Sequence, residues 1–329
     1  MEIAYAAERD RPAVKEIWLS CFPGDTAETV DLFLGRLFRP GWCLVGREGN
    51  RAVTMAFLLP AELVMGENRE DREDRENREN KEGQESRGSR ESRESRMLPL
   101  RYVFAAATLP SFRGAGRFGS LLRRAHAMAE GEGAAALFLR PAEPGLAVYY
   151  ERFGYRPYFM MVEDTAVLPE GRGAAGFPGR AIPPSAAPDG RHPAAENAAA
   201  FRDAALKGRP AWVRWPAEIV SLSVAGSLWM GGEGFYAAGE LPARGGSSGP
   251  LFFREWVAAG PAQEALLAAA ALRAAQGRTE GPVKIRRRRP AEAGEAGEPF
   301  GWLCPLTGAA RALFGTAAQD RPYMGLALD

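Results

Sequence analysis

The most informative stretch of this 329-residue sequence is Ala107-Thr108-Leu109-Pro110-Ser111-Phe112-Arg113-Gly114-Ala115-Gly116-Arg117-Phe118-Gly119. A predicted strand over 102–108 leads into it, and a predicted helix over 117–130 follows it directly. Glycine lets backbone N–H groups turn inward without side-chain obstruction. The start of a helix adds unpaired N–H donors and the positive end of the helix dipole. The stretch therefore predicts a turn that binds a diphosphate, with Arg113 and Arg117 adding charge-assisted hydrogen bonds.

A second interpretation of the same turn is a dinucleotide site. Gly114, Gly116 and Gly119 form the pattern G-x-G-x-x-G, and Arg140, about 20 residues later, can meet a 2′-phosphate. In a dinucleotide turn the glycines follow their strand at once and open the domain. Here residues 109–113 intervene and a complete α/β unit precedes the turn. An NADP-dependent oxidoreductase is therefore the weaker alternative.

A second element follows about thirty residues downstream, after a predicted strand over 135–139: Tyr150-Glu151-Arg152-Phe153-Gly154-Tyr155. The turn from Arg113 to Gly116 resembles the R/Q-x-x-G-x-G/A pyrophosphate turn of the GNAT acetyltransferase superfamily. The downstream element resembles the Y-E-x-x-G-F/Y element of that superfamily. The bulky Phe118 and the preceding Glu143 make the chain similar to the Eis type.

The resemblance implies an α/β GNAT fold with a mixed sheet and direct transfer of an acetyl group from acetyl-CoA to a primary amine. It assigns the pantetheine arm, the thioester and the diphosphate to Ala106, Ala107, Thr108, Arg113, Gly114, Ala115, Gly116, Arg117, Phe118 and Gly119. Tyr150 would donate a proton to the leaving thiolate, a task suited to a phenol whose reference pKa of about 10 lies above that of a thiol. Tyr149 is an adjacent competitor. Asp329 is the candidate base, since a terminal carboxylate is thought to assist in Eis-type enzymes, and Glu143 is a second candidate.

The order of predicted elements divides the chain into two units. Residues 1–167 form the catalytic GNAT domain, interrupted at 67–97 by charged triplets too polar to bury a core and therefore predicted to be disordered. Residues 168–197 form a linker rich in Pro, Gly and Ala. Residues 198–329 form a degenerate GNAT-like domain that lacks the glycine turn and walls the acceptor pocket. Within it, residues 286–289 are four arginines followed by acidic residues, and the pattern favours a solvated hairpin.

Composition narrows the range of functions. The net charge of +1 gives no reason to expect nucleic acid as a partner. No apolar run reaches the ~20 residues that a membrane helix needs, and charges interrupt any signal-peptide core at the N-terminus, so a cytoplasmic protein is expected. Three scattered cysteines indicate neither a disulfide framework nor a metal site. The expected partner is a small-molecule or peptide amine; homo-oligomer formation stays open, as does the alternative of a non-catalytic CoA-binding sensor.

Overall fold

The computed structural model describes residues 1–66, 96–168, 180–182, 197–240, 250–275, 282–292, 294–317, 322–325 and 328. The helices in these ranges are α1 (Arg11–Cys21), α2 (Ala27–Leu37), α3 (Arg117–Gly131), α4 (Pro144–Glu151), α5 (Ala198–Leu206), α6 (Ala217–Val224), α7 (Pro261–Ala275) and α8 (Gly308–Ala317). The strands are β1 (Glu2–Tyr5), β2 (Cys43–Glu48), β3 (Arg51–Met65), β4 (Arg96–Thr108), β5 (Ala136–Leu139), β6 (Arg156–Val167), β7 (Arg180–Ile182), β8 (Ala211–Arg214), β9 (Leu228–Gly232), β10 (Phe235–Glu240), β11 (Leu251–Ala258), β12 (Lys284–Arg289) and β13 (Glu298–Pro305).

These strands form one continuous sheet in the order β1-β2-β3-β4-β5-β13-β6-β12-β11-β10-β9-β7, and β8 pairs with the far end of β3. The β4–β5 and β11–β12 pairs are parallel, and the other described pairs are antiparallel. Strand β6 joins the two halves, because its first half pairs with β13 and its second half, from Val162 to Val167, pairs with β12. The mixed sheet confirms the predicted fold class.

Strand β13 lies between β5 and β6, although it follows both by more than a hundred residues in the chain. The segment assigned from sequence to the C-terminal domain therefore supplies a strand to the N-terminal half of the sheet. The domain boundaries themselves stay predictions. Residues 67–95 of the predicted insertion lie outside the described residues, whereas Arg96 and Met97 already belong to β4. Within the predicted linker, Arg180–Ile182 form β7 and pair with β9.

The solvated hairpin predicted for residues 286–289 is wrong. These four arginines form most of β12, an interior strand between β6 and β11. Charge pairing makes this placement stable: Glu163 receives hydrogen bonds from Arg286 and Arg288, on one face of the sheet. Asp164 receives hydrogen bonds from Arg287 and Arg289, on the other face. The four arginines can lie inside the sheet because two carboxylates of β6, more than a hundred residues earlier in the chain, pair with them.

Two cores cover the two faces of the N-terminal half of the sheet. Helices α1 and α2 bury aromatic side chains such as Trp18 and Phe33 on one face, and this core continues into α5 and α6. Helices α3 and α4 bury Leu121, Leu122 and Tyr150 on the opposite face. A third core lies between α7 and the C-terminal half of the sheet. The first core thus runs through both halves, and we call its side of the sheet the α1/α2 face.

A buried ion pair fixes the segment Pro322–Gly325 between the halves. The Arg202 guanidinium on α5 and the Glu255 carboxylate on β11 are both fully buried and 2.9 Å apart. Arg202 also donates to the carbonyl of Met324 (3.0 Å), and so does the indole nitrogen of Trp215 (3.1 Å). Trp215 packs edge-on against Tyr102 of β4 at 5.2 Å. The side chain of Trp215 therefore connects Met324 of this segment to Tyr102, in the N-terminal half of the sheet.

Candidate functional site

The second half of β4 has a free backbone edge. Strand β4 pairs with β5 only through Leu100, Arg101 and Tyr102, and then continues to Thr108. Within the described residues no strand pairs with Val103–Thr108 on the β5 side. The two parallel strands therefore splay apart at Tyr102, and the N–H and C=O groups along that edge are available to a ligand that extends the sheet.

A bulge lies opposite this free edge. Met55 of β3 pairs with Ala107 and Phe57 pairs with Phe104, so one residue of β3 faces two residues of β4. Ala105, in the bulge, has a φ of 46° and is the one described non-glycine residue with a positive φ. A left-handed conformation costs an L-residue about 1–2 kcal/mol, and such strain is concentrated at functional sites. The bulge turns the backbone of β4 at the point where the splay opens.

The glycine turn follows β4 and leads into α3. Gly114 and Gly116 have φ values of 86° and 71°, in the region that glycine adopts without strain. Gly116 is the N-cap of α3 and brings no capping side chain. The first amides of a helix have no intrahelical acceptor, so those at the start of α3 are left for an anion. The prediction that the turn opens a helix N-terminus is confirmed.

Both arginines of the turn form hydrogen bonds with nearby residues of the protein. Arg113 Nε donates to the carbonyl of Thr108 at 3.1 Å, which folds the turn back onto the end of β4. Arg117 binds Glu48 with two hydrogen bonds, Nε–Oε1 at 2.5 Å and Nη2–Oε2 at 3.1 Å, and donates to the carbonyl of Phe112. The hydrogen bonds from Arg117 lower the pKa of Glu48. The guanidinium groups thus brace the turn, and the charge of Arg117 is shared with a carboxylate that the sequence interpretation did not identify.

Gly119, the last glycine of the G-x-G-x-x-G pattern, has a packing role. A Cβ atom at this position would lie 2.9 Å from the ring of Phe153. The residue is buried in α3, and its missing side chain lets the turn after α4 approach the helix. The glycine that completed the dinucleotide pattern is therefore accounted for by helix packing.

Tyr150 lies beneath the splay on the face of α3. It is buried in α4, with the ring of Phe118 at 6.2 Å and the ring of Tyr155 at 5.7 Å. The same core contains Val103 of β4 and Leu139 of β5, which flank the splay. Burial, and to a smaller extent the neighbouring Tyr149, raise the pKa of Tyr150 to about 12. The phenol is therefore protonated throughout the neutral range.

Aromatic side chains line the opposite, α1/α2 face of the splay. Phe104 stacks on Tyr102 at 6.1 Å and contacts Trp18 edge-on at 5.6 Å. Cys21, at the end of α1, donates to the carbonyl of Thr108 at 3.4 Å, so α1 ends beside the end of β4. Helix α3 and Tyr150 thus lie on one face of the splay and this aromatic cluster on the other, where Phe104 is only half-buried.

The candidate bases are not brought together with the splay in the described structure. Asp329 lies outside the described residues, although Leu328 packs against the core on the α1/α2 face. Glu143 is exposed at the N-cap of α4 and makes no capping hydrogen bond. His126 of α3 hydrogen-bonds the hydroxyl of Tyr155 at 3.1 Å, and burial lowers its pKa. The base therefore stays a prediction.

Among the described residues, His, Cys, Asp and Glu side chains do not group in threes as a metal site requires. None of the described helices combines the length and apolar character of a membrane span.

Sequence comparison and structural comparison give different results. No protein-family model matches the chain, and no curated protein matches it. Solved structures do match. A GCN5-related N-acetyltransferase from Kribbella flavida superposes with a TM-score of 0.63 and 15% identity over 94% of this chain and 72% of that chain.

Two further structures give the same picture. Eis1 from Mycobacterium abscessus matches with a TM-score of 0.60 and 16% identity, over 93% of this chain and 74% of that one. A probable N-acyltransferase from Enterococcus faecalis V583 matches with a TM-score of 0.63 and 12% identity, over 93% and 72%. At these identities the likeness concerns the fold. The resemblance drawn from the glycine turn and the Tyr150 element is confirmed at that level: the chain has the GNAT fold, in the form shared with Eis-like acetyltransferases.

Proposed function

We propose that the chain is an acetyl-CoA-dependent N-acetyltransferase that transfers the acetyl group directly to a primary amine of a small molecule or peptide. One observation carries the proposal. A free strand edge, opposite a bulge, is followed after the glycine turn by an uncapped helix N-terminus. An extended amide-bearing arm fits the first, and a diphosphate fits the second. Coenzyme A carries both groups in that order along its length.

The residues of β4 and those of the glycine turn would bind different parts of acetyl-CoA. The edge that includes Phe104 and Ala106 would bind the pantetheine amides and the thioester carbonyl. The carbonyls of Ala107 and Thr108 already accept hydrogen bonds, from Thr54 Oγ1 at 2.7 Å and from Arg113. These two carbonyls would therefore anchor the strand end, while Ala107 and Thr108 stay predicted donor-binding residues. The amides from Gly114 to Gly119 would bind the diphosphate, with Phe118 packing between the turn and Tyr150.

The reaction forms one C–N bond and breaks one C–S bond. The neutral amine attacks the thioester carbonyl carbon from the aromatic face, and the tetrahedral intermediate expels the CoA thiolate. The amine proton leaves to a base, for which Asp329 is the first candidate and Glu143 the second. Backbone N–H groups beside the Ala105 bulge would stabilise the negative charge on the carbonyl oxygen, as donors in an oxyanion site do.

Tyr150 is suited to a donor role at the departing sulfur. Its pKa of about 12 lies well above the reference value of about 8.5 for a thiol. Complete proton transfer from this phenol to a thiolate is therefore uphill. Tyr150 would instead stabilise the developing charge on sulfur through a hydrogen bond, and the departed thiolate would then take a proton from the base that received the amine proton. This role refines the acid role predicted from the sequence.

Ligand-dependent stability tests the donor site. A ligand at a hundred times its Kd stabilises the folded state by about 2.7 kcal/mol, so acetyl-CoA should raise the melting temperature and NADPH should not. Gly116→Val, which forces a branched side chain into a φ of 71°, should abolish that stabilisation. Gly294→Val is the matched control, because Gly294 also has a positive φ (83°) with open space around it and lies in the loop before β13. Stabilisation by NADPH alone would refute the proposal.

A further inference from the structure

A cavity of about 300 Å³ lies between the C-terminal half of α3, the turn after α4, and the residues that connect β13 to α8. We call it the α3/α8 cavity. Two of its lining residues, His126 and Glu130, lie about 15 and 21 Å along the axis of α3 from its N-cap, Gly116. The cavity is therefore at the other end of α3 from the glycine turn. Its volume is at the lower end of the range of about 300–1,000 Å³ that small-molecule sites have, so it suits a small ligand.

The inner part of the α3/α8 cavity is uncharged. Cys304 is its one fully buried lining residue, and burial raises the pKa of the thiol to about 11, so the sulfur is protonated at neutral pH. The half-buried rings and chains of Phe153 and Leu306 form apolar walls. The ring of Phe153 is held in place by Tyr149 at 5.3 Å and by the guanidinium of Arg123, 5.8 Å above it. A fixed apolar wall of this kind can bury an apolar side chain of a ligand.

Two opposite charges stand at the mouth of the α3/α8 cavity. Glu130 on α3 and Arg311 on α8 both line it, and both are exposed. Among the residues that the structure describes, neither side chain forms a hydrogen bond or an ion pair, and the two do not pair with each other. One carboxylate and one guanidinium are thus available to a ligand at the same opening.

A third polar group lies one turn before Glu130 on the same side of α3. His126 is half-buried and uses Nε2 in its hydrogen bond with the hydroxyl of Tyr155 at 3.1 Å. Its other ring nitrogen, Nδ1, has no hydrogen-bonding partner within the described part of the chain. Because His126 lines the α3/α8 cavity, its imidazole reports directly on whether the cavity is occupied.

We propose that the α3/α8 cavity binds a free α-amino acid with an apolar side chain, its carboxylate on Arg311 and its ammonium group on Glu130. A guanidinium binds a carboxylate through two parallel hydrogen bonds. The apolar side chain would lie between Phe153 and Leu306. A ligand with a single charge is less suited, because an anion would also face Glu130 and a cation would also face Arg311. The proposal does not depend on the acetyltransferase function, since the cavity is separate from the splay and the glycine turn.

Four probes test each part of the ligand in calorimetry without acetyl-CoA. Leucine carries both charges and the side chain, leucinamide lacks the carboxylate, N-acetylleucine lacks the ammonium group, and glycine lacks the side chain. We expect leucine to bind about 10- to 100-fold more tightly than leucinamide or N-acetylleucine, the range of one hydrogen bond to a charged group. Glycine should bind more weakly than leucine, because it buries no apolar side chain.

Nuclear magnetic resonance places the ligand in the molecule. The sequence has two histidines, so His192→Gln leaves His126 as the only source of imidazole signals. These signals should shift during a leucine titration with the Kd that calorimetry gives. Saturable leucine binding that leaves the His126 signals unmoved would overturn the proposal, because the ligand would then lie elsewhere.

Variants at the mouth separate the two charges. Arg311→Gln should weaken leucine and N-acetylleucine about 10- to 100-fold and leave leucinamide unchanged. Glu130→Gln should weaken leucine and leucinamide and leave N-acetylleucine unchanged. Arg124→Gln and Glu233→Gln are the matched controls, because both residues are exposed and neither lines the cavity. Both controls should bind leucine as the wild-type protein does.

Three results would overturn the proposal. The first is the absence of saturable binding of leucine and phenylalanine up to about 10 mM, well above the Kd of about 1 mM that marks a weak site. The second is an equal loss of all probes in Arg311→Gln and Glu130→Gln, because that result indicates a structural change. The third is loss of leucine binding in Gly116→Val, which would place leucine at the site of acetyl transfer. Failure of acetyl-CoA to bind would refute the proposed function and leave the cavity proposal standing.

Discussion

Removing the charge of Glu255 should destabilise the protein more than any exposed substitution. The Arg202–Glu255 pair is 0% exposed on both sides, and Arg202 also binds the carbonyls of Val213 and Met324. Glu255→Gln keeps the shape of the side chain but leaves the guanidinium charged, buried and without its counterion. Breaking a buried pair in this way costs about 3–5 kcal/mol. Each kcal/mol corresponds to roughly 2–4 °C of melting temperature for a chain of a few hundred residues.

Urea titration monitored by tryptophan fluorescence measures this cost, since Trp215 donates to the same carbonyl of Met324. Two comparisons make the test sharp. The double variant Arg202→Met/Glu255→Leu should recover most of the loss, because apolar replacement of a buried pair is often neutral or stabilising. Glu16→Gln breaks the Glu16–Arg51 pair, which is 59% exposed on both sides, and should cost less than about 1 kcal/mol. A cost below about 1 kcal/mol for Glu255→Gln, or a double variant as unstable as the single one, would refute the reasoning.

Three further predictions concern the site. Gly119→Ala should lower stability by about 1–3 kcal/mol in urea unfolding, because its Cβ meets the ring of Phe153, and adding Phe153→Leu should recover part of the loss. An unchanged midpoint for Gly119→Ala would contradict the packing role. Gly114→Ala should weaken acetyl-CoA binding in calorimetry with a stability loss of about 1–2 kcal/mol, from its φ of 86°; unaltered affinity would exclude the turn as the diphosphate site. Since the pKa of Tyr150 is raised from 10 to about 12, its contribution to stability is fully present below pH 10 and is lost as pH rises through 12. Tyr150→Phe should therefore remove part of the alkaline loss of stability, and identical pH–stability curves would show that the phenol titrates normally.

Local signals made part of the fold predictable from the sequence. The turn from Arg113 to Gly116 carries its conformational requirement in its own glycines, and α3 begins directly after it, as predicted. Tyr150, the first residue of the downstream element, lies on the buried side of the short helix α4. Such features depend on neighbours within one or two helical turns, so composition and spacing are enough to detect them.

Long-range pairing explains what the sequence did not reveal. The sequence pattern predicted solvated arginines in β12 because their partners, Glu163 and Asp164, lie more than a hundred residues earlier. The insertion of β13 between β5 and β6 has no local signal either, since a strand pattern does not name its partners. The residue in the bulge is an alanine, which gives no sequence signal of a positive φ. The bulge becomes visible only in the pairing of β4 with β3.

The most direct test of the central claim is the turnover of Tyr150→Phe with the amine that wild-type protein acetylates best. Loss of one transition-state hydrogen bond to the leaving sulfur should lower kcat by about 10²- to 10³-fold, as removal of an oxyanion-site donor does. The Kd for acetyl-CoA, measured by calorimetry on the same preparation, should change little, because the variant keeps the ring that packs against Phe118 and removes only the hydroxyl. Tyr149→Phe is the matched control and should keep most of its activity. Unchanged kcat in Tyr150→Phe would contradict the assignment of the site, and an equal loss of acetyl-CoA binding would show that Tyr150 serves the fold and not the reaction.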